Sequence, residues 1–173
     1  MRVCGGHRFS PLPIRHARGN SATRAINNGG VTDRLGVVVV DHGSRKAESN
    51  RVLDSVVELM KQRTGRSNVH PAHMEIAAPT ILDAVHECAK EGAETVVVTP
   101  YFLSRGRHIM EDLPRLVEEA QKTVPGVKCI LAQPLGLDPG LIDIMDRRID
   151  EALVDSMAET EVAKTETLVS NPL

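Results

Sequence analysis

The chain has 173 residues, a length typical of one domain with short extensions. Its formal net charge is -2 and aromatic residues make up 2% of it, which argues against a basic or base-stacking surface for nucleic acid. No apolar run approaches the roughly 20 residues that a membrane-spanning helix needs. The 3 cysteines form no C-x-x-C pair, so we expect no disulfide framework and a reducing compartment.

The first part of the chain has the composition of a targeting segment. Residues 1–32 contain arginine, serine and threonine but no acidic residue, and the first acid is Asp33. A basic, hydroxylated, acid-free start is typical of organelle transit peptides, and it lacks the continuous apolar stretch of a secretory signal. The alternative is a disordered basic tail without a targeting role. We therefore expect residues 1–32 to be a transit or disordered segment that precedes the folded domain.

Apolar segments of strand length alternate with segments of helical periodicity through the rest of the chain. The valine-rich segments Leu35–Val40 and Thr95–Thr99 show no polar alternation, which is typical of strands buried on both faces. Between them, apolar residues recur at helical spacing. In chain order the predicted elements are strand Leu35–Val40, helix Lys46–Arg63 ended by Gly65, strand Val69–Ile76, a helix from Pro79 to Gly92, strand Thr95–Thr99, helix Arg107–Lys122, strand Val127–Ala132 and helix Pro139–Leu153 capped by Asp138.

Strict alternation of strands and helices predicts an α/β fold with a parallel sheet covered on both faces. With right-handed crossovers, four strands favour a flavodoxin-like three-layer sandwich of strand order 2-1-3-4. In that order the first and third strands are neighbours, and ligands bind beyond their carboxyl ends. We expect the domain to span residues 33–155. Residues 156–173, whose apolar residues keep no sustained period, are expected to be a disordered or weakly helical tail.

Two histidines follow buried strands of the predicted sheet. His42 comes directly after the first strand and His108 after the third, so the topology brings both to one cleft. The second strand ends near Glu75, which can aim a carboxylate at the same edge. Neutral imidazole binds borderline divalent metals and also accepts protons near neutral pH. The sequence therefore predicts an incomplete metal site with His42 and His108 as metal-binding and catalytic residues, together with Glu75.

Each of these residues also has a simpler structural interpretation. A single histidine at a strand end is usually a hydrogen-bonding loop residue, Glu75 would favour a helix entry, and Ser44 would be a helix N-cap. Four basic residues at the same rim form either a solvated loop edge or a surface that recruits a multiply anionic ligand: Arg45, Lys46, Arg105 and Arg107. The remaining candidates are interpreted as surface, structural or core residues: His70, His73, His86 and Cys129.

Three motifs together resemble the sirohydrochlorin chelatase family, the class II chelatases. They are the Asp41-His42-Gly43-Ser44-Arg45 turn, the segment Glu75–Pro79, and the run Pro100–His108 followed by Asp112 and Pro114. The last run is long and specific, whereas His-Gly-Ser alone is weak evidence. The likeness covers Leu35 to Leu153, which corresponds to one repeat of the family.

The resemblance implies insertion of ferrous iron into sirohydrochlorin, the last step of sirohaem biosynthesis, or of cobalt into the same pigment. The family's metal-facing histidines fall on His42 and His108, and its acidic residue falls on Glu75. Short members with one repeat pair as homodimers, so we expect a homodimer. The implied pigment-binding residues are Ser44, Arg45, Lys46, Phe102, Leu103, Ser104, Arg105, Gly106 and Arg107, with Pro100 and Met110 also against the flat macrocycle.

Iron is favoured over cobalt by the transit-like leader and not by the site, whose residues do not select the metal. Plastids need sirohaem for sulfite and nitrite reduction, so the chloroplast stroma is the expected compartment, with the mitochondrion as the alternative. Some family members carry an iron–sulfur cluster. Here its thiolates could come only from Cys88 and Cys129 shared between two chains.

Functions of other classes remain open at this stage. A non-catalytic carrier of metal or tetrapyrrole would use the same cleft. A phosphotransfer site of the histidine phosphatase kind is disfavoured, because Asp41 stands where those enzymes hold phosphate with an arginine. A purely structural flavodoxin-like module would leave His42 and His108 without a role.

Overall fold

A computed structural model describes residues 34–104 and 106–169, with the side chains of residues 107–110 and 158–169 excepted. The predicted leader at residues 1–32 therefore lies outside the described residues. Within them, strands and helices alternate as β1 (Leu35–Asp41), α1 (Ala47–Thr64), β2 (Val69–His73), α2 (Ile81–Lys90), β3 (Thr95–Pro100), α3 (Arg107–Thr123), β4 (Lys128–Leu131) and α4 (Pro139–Val169).

The strands form a parallel sheet of order β2-β1-β3-β4, which confirms the predicted α/β fold and its topology. Asp41 at the end of β1 faces His73 at the end of β2, and Val40 faces Pro100 at the end of β3. The carboxyl ends of these three strands therefore stand side by side. β2 ends at His73 and not at the predicted Ile76, whose φ of 71° is incompatible with an extended strand.

The core is built on both faces of β1. Val38 and Val40 pack with residues of α2 and α3, whereas Val37 and Val39 pack with residues of α1 on the opposite face. Each fully buried side chain of this size contributes about 1.5–3 kcal/mol. On one face α2 approaches very closely, because a Cβ added to Gly36 would lie 2.7 Å from the Cβ of Cys88. The sheet is thereby a rigid base for the loops at its carboxyl edge.

The second helix begins later than its sequence predicts. Thr80 is the N-cap of α2, in a capping box in which its Oγ1 accepts from the Asp83 N–H and Asp83 Oδ2 accepts from the Thr80 N–H. The hydrogen bonds from Thr80 also lower the pKa of the Asp83 carboxyl. Pro79, predicted to lie in the first helical turn, instead precedes the cap and follows a cis peptide bond.

The last helix begins as predicted and continues further. Asp138 Oδ1 accepts the Gly140 N–H at 2.8 Å, and Pro139 is the first helical residue. The helix continues past the predicted end at Leu153 to Val169, so residues 156–169 extend it. Almost every side chain described in α4 is exposed. None of the described helices combines the length and apolarity needed to cross a bilayer. The domain limits 33–155 stay a prediction.

Candidate active site

The turn after β1 has a geometry that requires glycine. Asp41 ends the strand, and its Oδ1 accepts the Gly43 N–H at 2.9 Å. Gly43 has a φ of +86°, and a Cβ there would lie 2.1 Å from the carbonyl oxygen of Glu75 and 3.1 Å from the Cβ of His73. Only glycine tolerates both the positive φ and the lack of space for a Cβ. With glycine at this position, the turn after β1 can lie directly against the segment after β2.

This close approach brings His42 and Glu75 together. The Met74 N–H donates to the Asp41 carbonyl at 2.8 Å, and the Glu75 N–H donates to the His42 carbonyl at 3.2 Å. The side chains then meet, with His42 Nε2 2.9 Å from Glu75 Oε1. Both side chains are about half exposed, at 50% and 53%. Two of the three predicted catalytic residues thus form a polar pair that faces solvent at the carboxyl edge of the sheet.

The third predicted residue, His108, lies in the first turn of α3, after the neighbouring strand. The Tyr101 N–H donates to the Val40 carbonyl at 2.7 Å, so the loop that leads to α3 starts beside the end of β1. The side chains of His108, Arg107 and Met110 are outside those described, as is all of Arg105. The backbone places His108 at the expected edge of the sheet, and its metal-binding role stays a prediction.

The described part of the chain supplies an incomplete set of metal donors. No three His, Cys, Asp or Glu side chains described by the structure lie close enough together to hold a metal ion. The pair of His42 and Glu75 offers an imidazole nitrogen and a carboxylate oxygen, donor types that ferrous iron and cobalt accept. Such a pair can hold a metal loosely and leave its other coordination positions open.

Two polar contacts at this edge escaped the sequence-based prediction. His73, interpreted as a surface or structural residue, is buried, and its Nδ1 lies 2.5 Å from Asp41 Oδ1. Asn50, to which no role was assigned, accepts the Ser44 N–H through Oδ1 and donates from Nδ2 to the Ser44 carbonyl, both at 2.9 Å. Ser44 is not the helix N-cap, because Lys46 occupies that position. Its Oγ instead accepts the Lys46 N–H at 3.1 Å.

The predicted pigment-binding residues have different environments. Arg45, Lys46, Ser104 and Gly106 are exposed. Leu103 is 66% exposed, while Phe102 is half-buried and packs against the core. The predicted contact of Pro100 with a macrocycle is wrong, because Pro100 is fully buried as the last residue of β3.

Beyond β3 and β4 lies an open, largely apolar surface. An open cavity of about 590 Å³ is lined by Leu103, Ser104 and residues 134–138. A neighbouring cavity of about 630 Å³ extends over Leu137 and the first turns of α4. The Gly136 N–H donates to the Phe102 carbonyl at 3.3 Å, so the two loops that form this surface are connected. The sequence predicted Leu103 as a pigment-binding residue but gave no signal for Leu137, whose loop shows no motif.

The two described cysteines do not fit an iron–sulfur cluster. Cys88 is fully buried against β1, and burial raises the pKa of its thiol to about 12. Burial also raises the pKa of the half-buried Cys129. Cluster ligands are thiolates that face a common site, whereas the Cys88 sulfur lies inside the core next to the Val37 carbonyl. The expectation of a shared cluster therefore finds no support among the described residues.

Comparisons with known proteins agree on one family. The CbiX family model matches residues 36–152. The chain is 44% identical over 124 residues to the chloroplastic sirohydrochlorin ferrochelatase of Arabidopsis thaliana, covering 72% of this chain and 55% of that protein. It is 31% identical over 121 residues to a sirohydrochlorin cobaltochelatase of Sulfurisphaera tokodaii, covering 70% of this chain and 96% of that one.

Solved structures show the same relationship. A putative cobalamin biosynthesis CbiX protein from Marinobacter aquaeolei superposes with a TM-score of 0.58 at 29% identity, over 70% of this chain and 98% of that one. SirB from Bacillus subtilis with Fe³⁺ shares the fold, with a TM-score of 0.63 at 23% identity over 69% of this chain and 47% of SirB. The chain thus spans about half the length of SirB and of the Arabidopsis protein. Since the family model covers more than half of the chain, the protein belongs to the CbiX family and carries one class II chelatase repeat.

Proposed function

We propose that this protein is a sirohydrochlorin ferrochelatase, which inserts Fe²⁺ into sirohydrochlorin and so completes sirohaem. The observation that carries the proposal is the pair of His42 and Glu75, 2.9 Å apart and half exposed where β2 and β1 end. Iron is the metal named for the Arabidopsis relative, which is 44% identical to this chain. The site residues would accept cobalt as well, and that metal is named for the S. tokodaii relative.

The chemistry of the reaction matches these side chains. The macrocycle must lose two pyrrole protons while the metal loses bound water and gains pyrrole nitrogens. His42 holds the metal through its imidazole, and the Glu75 carboxylate, 2.9 Å from His42 Nε2, fixes the orientation of the ring. Imidazole and carboxylate are both side-chain types that act as general bases, so either could take up a released pyrrole proton. His108, on the first turn of α3, is the second metal-binding histidine in this proposal.

The pigment is bound by charge on one side of the site and by apolar contact on the other. Sirohydrochlorin carries many carboxylates, which the exposed cations Arg45 and Lys46 would attract, together with Arg105 and Arg107. Its flat ring would lie over the apolar surface that includes Leu103 and Leu137, both exposed. Holding metal and macrocycle next to each other lowers the entropic barrier to insertion.

We further propose that two copies of the chain form a homodimer. Five of the exposed apolar residues of α4 recur every three or four positions along one face of the helix: Ile142, Met145, Ile149, Leu153 and Met157. Ile144 and Val154 are also exposed but lie off that face. Exposed apolar stripes of this kind are usually covered by a partner. The chain spans 47% of a sirohydrochlorin ferrochelatase of Priestia megaterium, so two copies correspond to one such longer relative.

We place the protein in the chloroplast stroma. The acid-free, arginine-containing segment 1–32 and the chloroplastic Arabidopsis relative support this assignment. Fusion of residues 1–32 to a fluorescent protein should direct it to plastids in leaf cells. Accumulation in mitochondria would instead support the alternative compartment.

The test of the proposed function is anaerobic metallation. The full chain is incubated with sirohydrochlorin and either Fe²⁺ or Co²⁺, and metal insertion is followed by absorbance. We expect rates above the spontaneous reaction, faster with Fe²⁺, and a loss of about 100-fold or more in His42→Ala and in His108→Ala. His86→Ala, at a half-buried position of α2, is the matched histidine control and should retain wild-type activity.

Other outcomes would change the assignment. A faster reaction with Co²⁺ would make the protein a cobaltochelatase. Tight binding of pigment or metal without any acceleration would identify a carrier, because binding and insertion need the same ligands but only an enzyme turns over repeatedly. Absence of both binding and turnover would contradict the proposal.

A further inference from the structure

His73 stands out because it is the one polar or charged residue that the fold buries among the residues described, with 3% of its surface exposed. A buried imidazole is destabilising unless its polar atoms are hydrogen-bonded. Its Nδ1 lies 2.5 Å from Oδ1 of Asp41, the residue that faces it across the last pair of β1 and β2. The fold thus keeps a polar side chain in its interior for a contact with the strand that leads into His42.

The Asp41 carboxylate links His73 to the turn that carries His42. Its Oδ1 accepts the Gly43 N–H at 2.9 Å and also accepts from the Nδ1–H of His73. Because one oxygen atom makes both contacts, the position of Gly43 is fixed relative to His73. Gly43 also lies directly against the Glu75 carbonyl. A movement of the turn that carries His42 would therefore separate His42 from Glu75.

His73 also closes the loop that carries Glu75. Its backbone N–H donates to the Pro79 carbonyl at 2.8 Å, and it forms an isolated bridge with Thr80. The loop of residues 74–79 therefore starts and ends beside His73. The backbone of His73 thus fixes the two ends of the loop that carries Glu75. Its side chain, through Asp41, fixes the start of the turn that carries His42.

We propose that His73 is a positioning residue for metal insertion, which acts through Asp41 to set the 2.9 Å separation of His42 and Glu75. This inference rests on the proposed function. His73 itself is too buried to touch metal or pigment. Partners of this kind, which orient a metal-binding residue without binding the metal, typically change metal affinity or activity by about 10- to 100-fold when they are removed.

Two substitutions of similar size separate this role from simple filling of the core. The amide nitrogen of asparagine can take the place of imidazole Nδ1, whereas the amide nitrogen of glutamine reaches the place of Nε2. Since the contact with Asp41 uses Nδ1, His73→Asn should keep the donor and His73→Gln should misplace it. Val57→Ala, in the core on the α1 side of the sheet, is a control that loosens packing without touching these loops.

The experiment measures kcat and KM for insertion of Fe²⁺ into sirohydrochlorin, with the affinity for Co²⁺ measured by calorimetry in the absence of pigment. We expect His73→Gln to lower kcat and Co²⁺ affinity by about 10- to 100-fold with little change in the KM for pigment. His73→Asn should keep kcat and Co²⁺ affinity within about 3-fold of the wild type. Val57→Ala should keep its kcat, because Val57 packs in the core cluster on the α1 side of the sheet. If His73→Gln lacks the wild-type circular dichroism spectrum, Asp41→Asn replaces it and should lower kcat several-fold.

The inference is overturned if the asparagine and glutamine variants behave alike, or if Val57→Ala loses as much kcat as His73→Gln. Wild-type kcat in Asp41→Asn would overturn it too. An inactive wild type would contradict the proposed function instead. In that case Co²⁺ affinity decides: a loss confined to His73→Gln supports the positioning role, and equal affinities overturn it.

Discussion

The two halves of the sheet's carboxyl edge are built differently. Beyond β1 and β2, backbone hydrogen bonds of 2.8 and 3.2 Å join the two turns, and Asp41 and His73 tie their bases together. Beyond β3 and β4, the surface consists of exposed apolar side chains such as Leu103 and Leu137 around open cavities. The first half is polar and closely held, whereas the second is apolar and uncovered.

In the proposed function, metal insertion, the two halves would meet different requirements. A small ion must be held by donors at fixed positions, and donors fixed in advance need no rearrangement during the reaction. A large, flat pigment instead needs apolar area that it can cover. We therefore infer that the pair of His42 and Glu75 governs turnover. Leu103 and Leu137 would supply the apolar contacts of pigment binding, beside the charges of Arg45 and Lys46. Substitutions in the two halves should therefore change different quantities, kcat for the pair of His42 and Glu75 and the KM for pigment at the apolar surface.

Gly43→Ala should disrupt the packing of the turn that carries His42 against the segment that carries Glu75. A Cβ at this position would lie 2.1 Å from the Glu75 carbonyl in a residue whose φ is +86°. The combined strain and clash should lower the free energy of unfolding by about 2–5 kcal/mol and remove activity. Gly65→Ala is the matched control: its φ is +71° but nothing lies within 4 Å, so it should cost only about 1–2 kcal/mol and leave activity intact. Urea unfolding and metallation rates measure both variants, and equal losses would show that the close approach is unimportant.

Glu75→Gln should impair turnover without unfolding the protein. It keeps the shape of the side chain but removes the charge beside His42, so we expect kcat to fall by about 10- to 100-fold. Glu94→Gln is the control, since its side chain is 60% exposed at the opposite end of the sheet. Steady-state kinetics with Fe²⁺ measure kcat for both variants, and only Glu75→Gln should show the loss. A Glu75→Gln enzyme with wild-type kcat would restrict this residue to a structural role.

Ile149→Glu should weaken the proposed dimer. Ile149 lies in the middle of the apolar face of α4 and is 57% exposed in the single chain. Burial of an unpaired charge between two copies should raise the dimer dissociation constant by at least about 10-fold. Leu59→Glu on α1, where the side chain is 55% exposed, should leave assembly unchanged. Analytical ultracentrifugation reports both, and an unchanged dimer in Ile149→Glu would place the interface elsewhere.

Leu137→Asp should have the smallest effect, confined to pigment binding. This side chain is fully exposed, so stability should stay within about 0.5 kcal/mol of the wild type. The new charge would repel the pigment carboxylates and remove apolar contact, raising the KM for sirohydrochlorin by about 3- to 10-fold at constant kcat. Val52→Asp on α1 makes the same change from apolar to charged at a side chain that is 58% exposed, and it should not change KM. A fall in kcat for Leu137→Asp would mean that the two halves are not separable.

Much of the fold followed from local patterns. The valine runs of β1 and β3 and the helical periodicities between strands predicted the parallel sheet and its order, because right-handed crossovers leave few alternatives. That order was enough to bring His42 and Glu75 to one edge. The contact of Asp41 with His73 could not be predicted, because it depends on the register of two strands that only the folded sheet fixes.

Other differences also come from tertiary context. Pro79 fits the first turn of a helix, but the capping box of Thr80 and Asp83 starts α2 after it. Pro100 appeared as part of the loop motif, yet its pairing with Val40 makes it the buried end of β3. The tail after Leu153 has no regular apolar period, but nothing in its sequence interrupts the helix that begins at Pro139.

The order of strands also has a consequence for synthesis of the chain. β1 is made first but lies inside the sheet, with β3 as one of its neighbours. Until the ribosome has released Thr95–Pro100, the valines of β1 retain one unpaired edge, a template for pairing with other nascent chains. More than fifty residues must be translated before that edge is closed, a delay of several seconds at about 5–20 residues per second. The strand order that brings His42 and Glu75 to one edge thus also leaves one edge of β1 exposed in every partly folded form that lacks β3.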